Sequence, residues 1–245
     1  MLRLINNIIP KTDHRVIFSR LGYKQKETEL DETLRKEIIG WIDEAASFIK
    51  LKAVVLECNF KIVENGRILI EPIFQQADKG KLLGVTGGWD ANVSAASSED
   101  LVSGTTAGHT GMTGRGIEII SNSFCKFISE AKRILLMGIT CGKEIMDCIE
   151  KEQKENMTKA VVLDAAAGEI ADSGLDYIVS FYNKELIRKS EKLFTKRFSP
   201  GYADLSLETQ KVFYDLLEMK KIGVNITESF ILIPQKSIIA LTGIV

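Results

Sequence analysis

Two runs of β-branched and other apolar residues stand on either side of an Asn-Gly pair in the first third of the chain. The runs are "KAVVLECNFKI", residues 52–62, and "RILIEPIF", residues 67–74, with Asn65-Gly66 between them. Asn-Gly favours the positive φ angles of a tight hairpin turn, so the two runs are predicted to pair as antiparallel strands. A chain with this hairpin therefore builds at least part of its sheet from antiparallel neighbours.

The remaining periodic segments predict helices mixed with short apolar strands. Apolar residues spaced three and four apart predict a helix from Asp31 to Lys50. Further along, the pattern predicts a helix face at Ile120, Phe124, Phe127 and Ile128, a buried strand at 133–139 and a polar helix at 143–156. An alanine-rich helix is predicted at 158–193, in which Gly168 and Gly174 mark close packing or a break. The last predicted elements are a helix capped by Ser206 and stopped by Gly223, and a final hairpin of 226–234 with 237–245. There is no regular βαβ repeat. The order predicts an α+β fold, a mainly antiparallel twisted sheet with flanking helices, in one domain spanning residues 1–245.

Composition excludes several classes of function. The net charge of −1 provides no field that would attract nucleic acid or anionic lipid. No stretch approaches the ~20 apolar residues that cross a bilayer. The four cysteines lack C-x-x-C spacing and lie in apolar or helical contexts, which indicates buried reduced thiols in a cytoplasmic protein; they are Cys58, Cys125, Cys141 and Cys148.

Residues 78–116 interrupt the regular pattern. They contain nine of the nineteen glycines and nine Ser or Thr, so the segment is predicted to form a long loop or a partly mobile flap. The stretch "GHTGMTGRG" lacks the Lys-Ser/Thr of a phosphate-binding Walker loop, and a nucleotide site here is the weaker alternative. Neither His14 nor His109 stands at metal-ligand spacing from another ligand.

The stretch "RFSPGY", residues 197–202, allows two interpretations. Pro200 fixes its own φ and biases the preceding residue toward extended backbone, while Gly201 reaches conformations closed to other residues. Arg197 offers a planar fork for a carboxylate, and Tyr202 offers an aromatic face with a hydroxyl. The segment is either a plain loop that leads into the next helix or a shaped edge that holds a small ligand with a ring and a carboxylate.

A second motif follows at a fixed distance and makes a resemblance specific. The R-x-x-P-G-Y element at 197–202 is followed by a helix, then by T-E-S-F at 227–230, Pro234 and Ser237. In this order the residues resemble the activation domain of cobalamin-dependent methionine synthase, the domain that binds S-adenosylmethionine. "GITCGKEI" at 138–145 and the alanine-rich helix are also similar to that family, so the resemblance covers roughly residues 117–245, and "RLGY" at 20–23 is similar to its stand-alone members.

The resemblance implies a function and a set of site residues. In the family, S-adenosylmethionine is presented to a corrin while an electron arrives, commonly from a flavodoxin, and inactive cob(II)alamin is converted to methylcobalamin. Carried over to this sequence, Arg197 holds the methionine carboxylate, Ser199 and Gly201 offer backbone contacts to the adenosyl portion, and Tyr202 lines the site near the corrin. A helix carboxylate completes the set; Glu169 is the candidate, with Asp172 within one turn of it.

These implications define two functions from different classes. The first is a stand-alone reactivation module, a methyltransferase component that binds S-adenosylmethionine and meets a cobalamin-carrying methionine synthase or related corrinoid methyltransferase in trans. The alternative is a non-catalytic corrinoid-protein adaptor or chaperone that has lost S-adenosylmethionine binding. The family's C-terminal tail contributes a tyrosine to the ligand site, whereas this sequence ends at Val245, and that difference favours the alternative.

Overall fold

A computed structural model describes residues 2–9, 12–23, 30–73, 111–113 and 116–245. The strands are β1 (Leu2–Ile8), β2 (Leu51–Ile62), β3 (Arg67–Pro72), β4 (Gly111–Thr113), β5 (Gly116–Ile120), β6 (Arg133–Thr140), β7 (Asn225–Ile226), β8 (Leu232–Ile233) and β9 (Ser237–Ile244). The helices are α1 (His14–Arg20), α2 (Glu32–Phe48), α3 (Asn122–Ile128), α4 (Glu144–Glu155), α5 (Met157–Leu186) and α6 (Thr209–Leu216). Among these helices none is both long enough and apolar enough to cross a membrane.

Seven strands form one antiparallel sheet, which confirms the predicted α+β class. The order is β4-β5-β3-β2-β6-β9, and β1 pairs with the first half of β2 beside β3. The predicted hairpin is present: Asn65 and Gly66 have φ angles of 63° and 75°, and Ile62 pairs with Ile68. The positive φ angles are those that an Asn-Gly turn supplies at low cost.

Helices cover both faces of this sheet, so its central strands are buried on both sides. On one face α1, α2, α4 and α5 pack against residues such as Val55, Met137 and Ile139. On the other face α3, α6 and the 205–224 segment pack against residues such as Leu56 and Leu136. Because successive side chains of a strand point to opposite faces, β6 needs apolar residues at nearly every position, which explains its continuous run.

The long helix α5 crosses the sheet at a glycine. A Cβ added to Gly174 would lie 2.4 Å from Ile139 Cδ1 and 2.8 Å from Leu51 Cδ1, so helix and sheet approach too closely for a side chain. The helix runs through both glycines and ends at Leu186, seven residues before the predicted end, where Ile187–Lys189 form a 3₁₀ turn. Of the two readings of these glycines, close packing is therefore correct at Gly174.

Three further predictions of local structure are wrong. Ile120 belongs to β5, and α3 starts only after Ser121, whose hydroxyl accepts the N–H of Phe124 at 3.0 Å. The helix expected from Ser206 begins at Thr209, because the preceding residues form turns.

The final hairpin is absent, since β8 pairs with the two-residue β7 and β9 pairs with β6. β9 pairs with β6 at eight positions, and its side chains are buried on both faces of the sheet. A strand of two residues followed by proline provides far fewer hydrogen bonds and less burial.

The glycine-rich segment falls mostly outside the described residues. This applies to 78–110, with His109, and to 114–115. At its end, Gly111–Thr113 form β4, and Thr113 pairs with Gly116, the first residue of β5. Residues 111–113 of the predicted loop therefore form an edge strand of the sheet.

Candidate ligand site

The segment that carries the R-x-x-P-G-Y motif lies along the outer edge of β9. The Phe198 N–H donates to the Leu241 carbonyl at 2.8 Å, and the Leu241 N–H donates back to Phe198 at 2.7 Å. The Phe198 ring packs on one face, 5.4 Å and 5.5 Å from the ring centres of Phe124 and Phe127. Since neighbouring side chains of an extended segment point in opposite directions, Arg197 is directed to the other face, where α5 lies.

A tight turn follows and contains the other residues of the motif. The Tyr202 N–H donates to the Ser199 carbonyl at 3.1 Å, and the Gly201 N–H donates to the Leu205 carbonyl at 2.9 Å. Gly201 has a φ of 84°, a left-handed conformation that favours glycine. The Gly201 N–H is thus used inside the turn, whereas within the described part of the chain no partner is found for the Ser199 N–H or the Gly201 carbonyl. The Tyr202 ring is 70% exposed.

One carboxylate fixes this turn to the start of α3. Asp204 accepts hydrogen bonds from the Ser121 hydroxyl at 2.6 Å, the Asn122 N–H at 2.8 Å and the Ser123 N–H at 3.2 Å. Desolvation opposes ionisation of Asp204, but the bonds from Ser121, Ser123 and Asn122 outweigh it and lower the pKa of its carboxyl group. Asp204 therefore links the turn at 199–205 to the helix on the other side of the motif.

We expect Asp204→Ala to lower the free energy of unfolding by about 1–2 kcal/mol, because the first turn of α3 loses its acceptor. The folded-state pKa of Asp204 lies below its unfolded value, so the ionised form stabilises the fold above about pH 4 and this contribution is lost as the pH falls through the folded-state pKa. Urea unfolding at several pH values measures both effects. Asp215→Ala is the control, because Asp215 only pairs with Lys211 on the exposed side of α6; an equal loss in the two variants would contradict the assignment.

The guanidinium of Arg197 forms an ion pair with Asp176 of α5. The Arg197 side chain is 20% exposed, whereas that of Asp176 is 71% exposed. The cation is therefore mostly covered by protein, and its partner stands largely in solvent. The guanidinium faces α5, and its fork is engaged by a carboxylate of the same chain.

Glu169 lies two helical turns before Asp176 on the same face of α5. Its carboxylate accepts from Arg20 Nε at 2.6 Å, while Arg20 Nη2 donates to Asp172 at 2.5 Å. Burial opposes the charge of Arg20, and the hydrogen bonds to Asp172 and Glu169 overcome it, so the pKa of Arg20 is raised. Arg20 belongs to the "RLGY" segment at the end of α1, and it binds both candidate helix carboxylates at once.

A third ion pair continues the row along α5. Lys236, which precedes β9, donates from Nζ to Asp164 at 2.8 Å. A Cβ added to Gly168 would lie 3.8 Å from Arg20 Nη1 and 4.0 Å from Lys236 Nζ, so these two cations approach the helix backbone where it has no side chain. Four carboxylates of α5 thus meet three cations from three other parts of the chain; we call them the α5 acidic row, consisting of Asp164, Glu169, Asp172 and Asp176.

The five predicted site residues form two groups. Arg197, Ser199, Gly201 and Tyr202 lie together in the segment at the edge of β9, and Glu169 lies on α5. The two groups are connected through α5 itself, because Asp176 and Glu169 share a helix face at a spacing of seven residues. The sequence did not assign a site role to Asp176, Arg20, Lys236 or Asp204; the available signals were the acidic residues spaced three to five apart along α5 and the RLGY segment that contains Arg20.

Thiol and metal chemistry find no support in the described residues. All four cysteines are free. Burial raises the pKa of Cys58 and of Cys141 to about 12, which keeps both thiols protonated at neutral pH. Cys125 and Cys148 are only half-buried, so the prediction of buried thiols is correct for two of the four. His14 is bound to Asp43 at 2.9 Å, and the described residues contain no group of three side chains that could hold a metal ion.

A separate cleft of about 320 Å³ lies at the C-terminal end of α5. Its lining is mostly charged and consists of Arg3, Glu57, Tyr182, Glu185, Leu186, Arg188 and Lys189. None of the five predicted site residues belongs to it. The lining includes the ion pair of Arg3 with Glu185 at 2.7 Å, and the Arg3 guanidinium lies 5.4 Å from the centre of the Tyr182 ring.

Comparison with known proteins finds similarity among solved structures. No family model matches the sequence, and no curated protein matches it. Among solved structures, the crystal structure of the MetH reactivation domain bound to AdoHcy superposes on 99% of this chain and 78% of its own, with a TM-score of 0.57 and 17% identity. This chain has the fold of the MetH reactivation domain. The resemblance found in the sequence motifs is thereby confirmed at the level of the fold, and the match extends it to the first half of the chain.

Proposed function

We propose that this protein is a reactivation module that presents S-adenosylmethionine to cob(II)alamin on a partner, either a cobalamin-dependent methionine synthase or a related corrinoid methyltransferase. The observation that carries the proposal is the fold shared over 99% of the chain with a reactivation domain that was crystallised with AdoHcy. The R-x-x-P-G-Y motif supports it, because its residues occupy one ordered edge of the sheet.

The fork of Arg197 fits the carboxylate of the methionine portion. The Arg197 side chain is mostly covered by protein, and its guanidinium is already bound to the carboxylate of Asp176. Because the Asp176 side chain stands largely in water, its return to solvent costs little, and a ligand carboxylate can replace it on Arg197. Arg197 would keep a charged partner throughout the exchange.

The turn after Arg197 provides groups for the adenosyl portion. The Ser199 N–H and the Gly201 carbonyl are free of partners within the described residues, so one donor and one acceptor are available to a ligand. The prediction that Gly201 offers a backbone contact therefore applies to its carbonyl, because its N–H already donates to the Leu205 carbonyl. The exposed ring of Tyr202 would supply an apolar wall on the side that faces the partner.

Glu169 would supply the helix carboxylate, held in place by Arg20. The guanidinium binds Oε2 of Glu169, which leaves the second oxygen, Oε1, for a ligand hydroxyl or ammonium group. Bound S-adenosylmethionine supplies a methyl group on a sulfonium for transfer to the reduced corrin of the partner, with the electron coming from a flavodoxin-type reductant. The residues of this chain would bind and orient the ligand in the geometry required for that transfer.

Calorimetric titration with S-adenosylmethionine tests the proposal directly. We expect measurable heat with one site per chain, and no binding of ATP, which serves as an adenosine-containing control without a methionine portion. A second assay combines the protein with a corrinoid methyltransferase in the cob(II)alamin form and a reductant, and follows methylcobalamin by its absorbance. Absence of heat at millimolar S-adenosylmethionine would overturn the proposal.

One observation favours the adaptor alternative: several polar groups of the candidate site are already bound to other groups of the same chain. Arg197 is paired with Asp176, Glu169 with Arg20, and the Gly201 N–H with Leu205. An adaptor of this kind would bind the corrinoid protein equally well with and without S-adenosylmethionine. Measuring the affinity for an immobilised corrinoid methyltransferase at zero and saturating S-adenosylmethionine separates the two functions.

A further inference from the structure

The pairing of Arg197 with Asp176 joins two groups of unequal exposure. The Arg197 side chain is only 20% exposed, whereas the Asp176 side chain is 71% exposed and stands mostly in water. Among the described residues, the other members of the α5 acidic row are bound elsewhere: Glu169 and Asp172 to Arg20, and Asp164 to Lys236. Asp176 is therefore the anion that neutralises Arg197 in this structure.

We propose that Asp176 is a specificity-determining residue that occupies the carboxylate subsite of the ligand. It binds Arg197 when the site is empty, and a ligand must bring a carboxylate of its own to replace it. The inference rests on the proposed function, because that function assigns the ligand carboxylate to Arg197. It goes further by making Asp176 an internal competitor of the ligand carboxylate, which weakens the binding of amino-acid-bearing sulfonium nucleosides and leaves those without a carboxylate unaffected.

The physical reason is the cost of an unpaired, covered cation. A ligand without a carboxylate leaves Asp176 on Arg197, because displacing it would leave a largely covered cation without a counter-ion, so its affinity does not depend on this ion pair. A ligand with a carboxylate exchanges one ion pair for another. The released Asp176 returns to water easily, because most of its surface is already hydrated.

The competition can be isolated with two ligands that differ only in the carboxylate. S-Adenosylmethionine and decarboxylated S-adenosylmethionine carry the same ammonium and sulfonium groups but differ by one unit of net charge, so the loss of any nearby carboxylate shifts the ratio of their affinities through general electrostatics. The rise of this ratio beyond that of a control variant with the same loss of charge reports on the carboxylate subsite. Removing the competitor with Asp176→Asn should raise this ratio, because S-adenosylmethionine no longer has to displace an anion from Arg197.

We expect Asp176→Asn to raise the affinity ratio about three- to fivefold, measured by calorimetry at low salt. The matched control is Asp164→Asn, which removes the same charge from the same helix but leaves Arg197 paired with Asp176; its ratio should rise far less than that of Asp176→Asn. Asp176→Ala, which has no side-chain polar group, should reproduce the effect of Asp176→Asn, and thermal unfolding checks that both variants are folded.

The possible outcomes are distinct. A ratio that rises in both Asp176 variants well above that of Asp164→Asn supports the inference. A wild-type protein that binds S-adenosylmethionine while the ratio in Asp176→Asn is no higher than in Asp164→Asn overturns the inference and leaves the proposed function intact. A wild-type protein that binds neither ligand overturns the proposed function, and the inference falls with it.

Discussion

Replacement of Arg197 with alanine is expected to weaken S-adenosylmethionine binding about 10- to 100-fold. The substitution removes a charge-assisted fork, and such bonds contribute roughly 1.5–3 kcal/mol. The expected loss of affinity does not reach the upper end of this energy range, because the ligand of the wild-type protein must first displace Asp176. Stability should change little, since the lost ion pair has a mostly exposed partner. Calorimetric titration gives the dissociation constant, and urea unfolding gives the stability.

Two variants control this experiment. Arg197→Lys keeps the charge and loses the planar fork, so we expect an affinity between those of the wild type and Arg197→Ala. Arg35→Ala removes an equal charge from the exposed side of α2 and should bind like the wild type. An Arg197→Ala protein that is folded and binds with the wild-type dissociation constant would show that the ligand carboxylate, if bound at all, goes elsewhere.

Substitution of Gly174 by valine is expected to lower the free energy of unfolding by about 2 kcal/mol. Its Cβ alone would lie 2.4 Å from Ile139 Cδ1, and both Ile139 and Leu51 are fully buried in the main core beneath α5. Overpacking of a filled core forces side chains away from their preferred rotamers and moves the helix from the sheet. For a chain of this length the melting temperature should fall by about 4–8 °C, as measured by calorimetry or circular dichroism.

Gly168→Ala is the matched control for this substitution. It lies in the same helix, and an added Cβ would meet nothing closer than 3.8 Å. The gain in helix propensity should raise stability by up to about 1 kcal/mol. The two substitutions are therefore expected to have opposite signs, and a stabilised Gly174→Val protein would contradict the close approach of α5 to the sheet.

Elements defined by neighbouring residues were predictable from the sequence. The β2–β3 hairpin depends on Asn65-Gly66, α2 begins after the Asp31 cap, and the apolar run of β6 reflects burial on both faces. In each case the stabilising contacts lie within a few residues or follow from the periodicity alone. The start of the chain gave no comparable signal, and β1 and α1 were not predicted. Their burial depends on the half of β2 that β3 leaves free and on the flank of α5.

Pairing across long stretches of chain was not predictable in the same way. The run at 237–244 could pair locally with 226–234, and the sequence favours this because the loop would be short. In the structure β9 pairs with β6, about a hundred positions earlier, for example Ser237 with Thr140. The same holds for the candidate site. The R-x-x-P-G-Y motif could be located by its own residues, but the partners of Arg197 and Glu169 could not be predicted because they lie far away in the sequence.

The sequence by itself determined the β2–β3 hairpin, α2, β6 and the long helix α5 and, through two ordered motifs, which fold they build. Those features depend on local backbone preferences and on side chains a few positions apart. The tertiary structure alone decided that Asp176 neutralises Arg197, that Arg20 binds Glu169 and Asp172, and that Asp204 fixes the turn to α3. The chain contains many acidic and basic residues, and their positions in the sequence do not show which of them will pair. Only the packing of α1, α5 and the edge of β9 brings particular pairs within hydrogen-bonding distance.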